Sequence, residues 1–358
     1  MTSWAPLALT TLTAALLVLP VTPALYELWK RNDAAPLPTS RHDGRIANFA
    51  EALRLRLEPL RPQLERCRAE RETSRTSLEG MEVLLVGCHA DDFDFDPRLT
   101  NGADAVMFGE AARVPAGRVV DADVYADGAL NLGEGATLRA ARSGADVFLE
   151  KDSVVLRWLH AEGAIHMREG STAYGRLSAD RSIRLEQGCG FQHVHAPQIF
   201  TLDANQQDEA HLPAHICATH SAPDLGDVFT SSRPRMRIQG DYLLPPGDTL
   251  NANLIVTGEL RLGAGARLFG SAKSYKDTVL EEDACVHGSI VCGRTIRLGS
   301  RSFVAGPVMA EGDVVIARGS RVGEPDALTT ISSCGAQIAA GCQMHGTIWA
   351  RVRGNVEG

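Results

Sequence analysis

Aromatic side chains are few: Phe, Trp and Tyr together make 5% of the 358 residues. The core must therefore come from Val, Leu, Ile and Ala, a palette that suits short strands joined by tight turns. Long basic runs are missing, and 36 Lys and Arg against 44 Asp and Glu leave a net charge of −8. Sequence-independent nucleic-acid binding rests on clustered cations, so nucleic acid is not an expected partner. No CxxC pair occurs among Cys67, Cys88, Cys189, Cys217, Cys285, Cys292, Cys334 and Cys342. Several stand where a repeat wants a small buried residue, so they read as reduced thiols serving as small apolar side chains.

Charge is also absent from the beginning of the chain, where the first charged side chain is Glu27. Residues 7–26 are mostly apolar, close to the ~20 that a helix needs to cross a bilayer. Trp4 on one side, with Tyr26 and Trp29 on the other, suits the two interfaces. Thr10, Thr11, Thr13, Pro20 and Pro23 weaken the stretch. A cleaved signal peptide would begin with positive charge. Here Lys30, Arg31, Arg41 and Arg45 follow the segment, which by the positive-inside rule puts the body in the cytoplasm. The expectation is a single-pass transmembrane anchor over residues 1–28, held in the cell inner membrane. A charged amphipathic helical spacer over 29–78 follows: Ile46, Phe49, Leu53, Leu57, Leu60 and Leu64 fall on one face. Pro59 and Pro62 should divide it.

The strongest signal is a repeat. Leu244, Leu262, Leu280, Leu298 and Ile316 recur every 18 residues, as do Leu250, Leu268, Val286, Val304 and Val322. Gly270, Gly288 and Gly306 keep the same register, and Ser274, Cys292 and Ala310 mark a small-residue position. After an insertion near 324–329, Ile338, Met344, Gly346 and Ala350 resume the pattern. A looser array precedes it: Leu130, Val147, Ile165 and Ile183, with Leu132, Leu149, Met167 and Leu185 two positions on. Such a repeat predicts a coil of three short strands, apolar inside and polar outside, stacking at about 4.8 Å. Glycine is expected to supply unusual backbone angles at the corners. The fold expected is all-β: a parallel β-helix of ~18 residues per coil behind an anchor and a spacer. The chain divides into a short mixed segment at 79–118, array 1 at 119–200, a linker or excursion at 201–235, and array 2 at 236–358.

The repeats "LRLGAGARLFGSAKS" and "IRLGSRSFVAGPVMA" resemble the bactofilins, a polymer-forming bacterial cytoskeletal family. The resemblance covers residues 242–350 well and 119–196 more loosely. It implies a right-handed β-helix that polymerises end to end without nucleotide and scaffolds envelope-building machinery. A membrane-anchored relative serving polysaccharide synthesis or export fits that implication. The double array and the long N-terminal part depart from the family's single array.

Chemical motifs are sparse. "VLLVGCHADDFDFD" echoes the metal motif of zinc-dependent N-deacetylases, but Ala90 replaces a proline and no α/β domain follows. Asp92, Asp94 and Asp96 mimic a calcium loop in which Pro97 stands where glycine is needed and Ala103 where Glu is needed. Both read as an acidic turn. His193, His195, His211, His215, Cys217 and His220 are the candidate metal ligands, since imidazole and thiolate suit zinc. His195 also falls in the outward ladder of His160 and Ser178, a structural reading. His287 and His345 each precede a repeat glycine, which keeps a left-handed hexapeptide-repeat acyltransferase with a His287 base as the enzymatic alternative. A polysaccharide-binding solenoid is the third reading. The leading expectation is a non-enzymatic, self-associating scaffold without cofactor, whose open solenoid edges pair with other copies.

Overall fold

The computed structural model describes residues 4–22, 26, 46–88, 93, 95–203 and 233–358, in two compact units, 1–45 and 46–358. The first unit contains helix α1, Ala5–Val18, which tightens into a 3-10 turn at Leu19–Val21. Pro20 lies in that turn, and a proline removes an amide donor and crowds the preceding turn. The expected transmembrane helix over 7–26 is therefore corrected. Fourteen residues reach about 21 Å, against about 30 Å of hydrocarbon. Among the described residues, no helix is long and apolar enough to cross a membrane.

The second unit is a β-solenoid of about 13 turns with ~18-residue spacing. Its array 2 keeps the predicted register. Leu244 pairs with Leu262, Leu262 with Leu280, Leu280 with Leu298, and Leu298 with Ile316. At the insertion the spacing lengthens, pairing Val314 with Ala336 and Val322 with Met344, without breaking the column. Array 1 stacks Leu130 on Val147, Val147 on Ile165 and Ile165 on Ile183. The parallel column starts earlier, at Met81–Val86, where Val83 pairs with Ala105 and Ala105 with Asp123. Each buried Leu, Ile or Val contributes roughly 1.5–3 kcal/mol, so stability accumulates coil by coil.

The glycine ladder has another cause than the one expected. Gly270, Gly288 and Gly306 are not left-handed; a Cβ on Gly288 would stand 2.3 Å from the Gly270 carbonyl oxygen of the coil beneath. Close stacking selects them. The left-handed corner is a different column, in which Gly265 (φ +67°), Asp283 (φ 58°) and Arg301 (φ 55°) follow one another.

Helices α2 (Asn48–Leu57) and α3 (Arg61–Glu70) are separated by a 3-10 turn that contains Pro59. They lie along one flank of array 1. Leu53, Leu57, Leu60 and Leu64 pack there with Val83, Ala105, Met107, Ala140 and Trp158 in a second apolar cluster. Arg61 ties them down by bonding Tyr125 at 2.8 Å and Asp127 at 3.0 Å.

Candidate functional site

A solenoid binds with its ends or its faces, because its interior is filled. The interior here is one continuous apolar cluster running from Leu84 through both arrays to Val356. The two ends of the stack and the junction between the arrays are therefore the places to inspect.

The arrays meet tail to tail. The last strand of array 1, Gly190–Leu202, pairs antiparallel with the last strand of array 2, Gln343–Glu357. Val194 faces Ile348 and Ile199 faces Met344, closing the core across the joint. Leu202 thus ends at the junction, while Arg235 re-enters at the opposite end of array 2 and the chain runs back toward the joint. Backbone bonds seal it, including Val356 N–H to Cys189 O at 3.0 Å and Thr201 N–H to Cys342 O at 3.1 Å.

This junction holds two of the candidate metal ligands and gives them other partners. The His193 ring packs on Trp349 with centroids 4.4 Å apart, and His195 Nδ1 shares a 2.9 Å hydrogen bond with Thr347 Oγ1. His193 is held below the usual histidine range by burial and by the neighbouring Arg176. His211, His215, Cys217 and His220 lie outside the described residues. Among the described residues no group of His, Cys, Asp and Glu side chains could hold a metal. The buried thiols of Cys189 and Cys342 are pushed up by burial, to about 12 and about 11. Neither is a ready thiolate.

The histidines of the acyltransferase reading, too, have partners of their own. His287 lies flat against Phe269, with centroids 4.5 Å apart, and edge-on to Phe303. His345 is buried at the junction and donates Nδ1–H to the Pro197 carbonyl at 2.9 Å, while its Nε2 meets no partner. Among the described residues, neither imidazole is hydrogen-bonded to a carboxylate that would orient a base. Burial lowers both below the usual histidine range. His160 donates to or accepts from Ser178 at 2.9 Å in the predicted outward ladder, near the start of α2.

The ends of the stack differ. At the start of array 1, Thr73–Leu78 folds back antiparallel on Met81–Val86. Phe93 and Phe95 close the core there, packing edge-on at 5.0 Å and meeting Phe108. Phe93 and Phe95 of the acidic motif thus plug the coil; its residues 89–92 and 94 lie outside the described residues. At the start of array 2 there is no such plug among the described residues. Among the described residues, Arg235–Ile238 pairs on one side only, with Asn253–Val256. Its inward Met236 is 38% exposed, whereas Leu254 in the next coil is 1% exposed. Ile238, Tyr242 and Leu250 are likewise half-buried above the fully buried Val256, Leu260 and Leu268.

Sequence reading found the ladders but not the joint. Gly354 and Phe191, which mesh at the junction, carry no local signal, since their partners lie far along the chain. The chain matches no family model, no curated protein and no solved structure.

Proposed function

We propose that this protein is a non-catalytic scaffold that associates with a second copy of itself through the uncovered end of array 2. The observation that carries the reading is the asymmetry between ends: a phenylalanine plug and a hairpin at one, and at the other a half-exposed core and a strand edge with no partner among the described residues. Strand edges pair, and core residues left half-wet gain by burial. The junction within the chain offers a precedent, because antiparallel pairing of strand on strand already joins two solenoid ends. A two-fold axis generates the same pairing between copies.

A bactofilin-type role follows from this reading and from the repeat motif: a solenoid platform organising cell-envelope or polysaccharide machinery. One-ended association would make pairs of stacks rather than long polymers. In this reading the apolar helix α1, with exposed Leu9, Leu12 and Leu17, lies on the inner membrane as its attachment, and the cations that follow it in sequence, Lys30, Arg31, Arg41 and Arg45, favour an anionic cytoplasmic leaflet. The competing outcome is a monomer, with Pro234, Arg235 and Arg237 blunting the edge.

The experiment is cross-linking at the proposed axis. Met236→Cys in the full chain should give a disulfide-linked pair under mild oxidation, and Leu250→Glu in the same chain should abolish it. Absence of the pair in Met236→Cys, with the fold intact by circular dichroism, would sink the reading.

A further inference from the structure

The strand column that carries α2 and α3 in array 1 continues without a break through the junction into array 2. His193 pairs with Trp349, Trp349 with Ser332, Ser332 with Met309, Met309 with Val291, and Val291 with Lys273. In array 1 this column runs through Ala105, Ala140 and Trp158, which pack in one apolar cluster with the leucines of the helices. In array 2 no helix covers the same column among the described residues. Val291 is 38%, Met309 42% and Trp349 46% exposed, with Tyr275 beside them at 55%.

The charge on this face is one-sided. Its outward positions hold Arg235, Arg237 and Lys273, and at its border Arg351 donates to the backbone carbonyl of Glu311 at 2.6 Å, in a chain of net charge −8. The ammonium of Lys273 rests over the Tyr275 ring at 5.1 Å rather than on a carboxylate. An exposed apolar row with Trp and Tyr, flanked by cations that form no ion pair among the described residues, matches the boundary between lipid headgroups and acyl chains.

We propose that this face of array 2 lies against an anionic lipid surface, with Val291, Met309 and Trp349 entering the headgroup boundary and Arg237, Lys273 and Arg351 meeting lipid phosphates. The proposal deepens the membrane attachment assigned above to α1, and the two are read separately. An environment-sensitive fluorophore is placed on Val291→Cys in the full chain, with Cys88, Cys217 and Cys334 changed to serine; a control carries it on Val279→Cys, on the neighbouring face. Vesicles are equimolar phosphatidylcholine and phosphatidylglycerol, or phosphatidylcholine alone. The Val291 label should shift to shorter wavelength on the anionic vesicles only, and the Val279 label should not. Changing Arg237, Lys273 and Arg351 to Glu should raise the lipid concentration needed by roughly tenfold or more. A chain that sediments with vesicles through α1 while the Val291 label stays silent overturns the proposal and leaves the attachment standing. A shift produced by membrane-free cell extract, and not by vesicles, assigns the face to a protein partner and overturns it too.

Discussion

Phe191 of array 1 lies flush against Gly354 of array 2, so that a Cβ on Gly354 would stand 2.1 Å from the Phe191 ring. The tail-to-tail joint is therefore shaped to exclude even a methyl group. Gly354→Ala should destabilise the fold by about 1–3 kcal/mol, the usual cost of overpacking. Phe191→Leu in the same chain should recover part of that loss, giving a non-additive cycle by chemical denaturation. Additive effects would show that the two residues do not share the joint.

The coil interior predicts a sharp contrast between neighbours. Ile296 is fully buried and Arg297 points outward from the same short strand. Ile296→Ala should cost about 2–5 kcal/mol, whereas Arg297→Ala should stay within about 0.5 kcal/mol. Urea unfolding of the two variants measures the difference.

Two glycines should fail for different reasons. Gly265 has open space around it but sits at φ +67°, so Gly265→Ala meets strain alone, about 1–2 kcal/mol. Gly288 has an ordinary backbone, and its substitution forces coils apart against the Gly270 carbonyl. Gly265→Asn should therefore be milder than Gly265→Ala, since Asn tolerates the left-handed region, while Gly288→Asn should be worse than Gly288→Ala. Thermal melting of the four variants checks the ordering.

Buried and half-buried histidines set a pH dependence. His160, His193, His287 and His345 are all lowered from 6.5, with burial as the first cause. Below about pH 6.5 the unfolded chain takes up protons that the folded chain refuses, so stability is full above that pH and falls as pH drops. The melting temperature should be lower at about pH 5.5 than at about pH 7.5, a window above the carboxylate range. His345→Gln should flatten the dependence.

The sequence made array 2 legible because strict spacing, from Leu244 to Ile316, is what in-register stacking demands. The beginning of array 1 was masked by an insertion: Val83 and Ala105 pair across a longer interval that holds Phe93 and Phe95, so the period is lost there. The joint was not legible at all. An 18-residue period reads the same whichever end of an array faces its neighbour, so nothing local marks tail-to-tail pairing. His193 and His195 looked like ligands because they stand close to other histidines in sequence; their partners, Trp349 and Thr347, lie more than a hundred residues on.

The most direct measurement is sedimentation velocity of the full chain in mild detergent over a wide concentration range, beside Leu250→Glu. The account predicts a concentration-dependent mass that levels off at two copies for the natural chain, and one copy for the variant. A natural chain that stays a monomer at high concentration, or one that grows into long open-ended polymers, would contradict it.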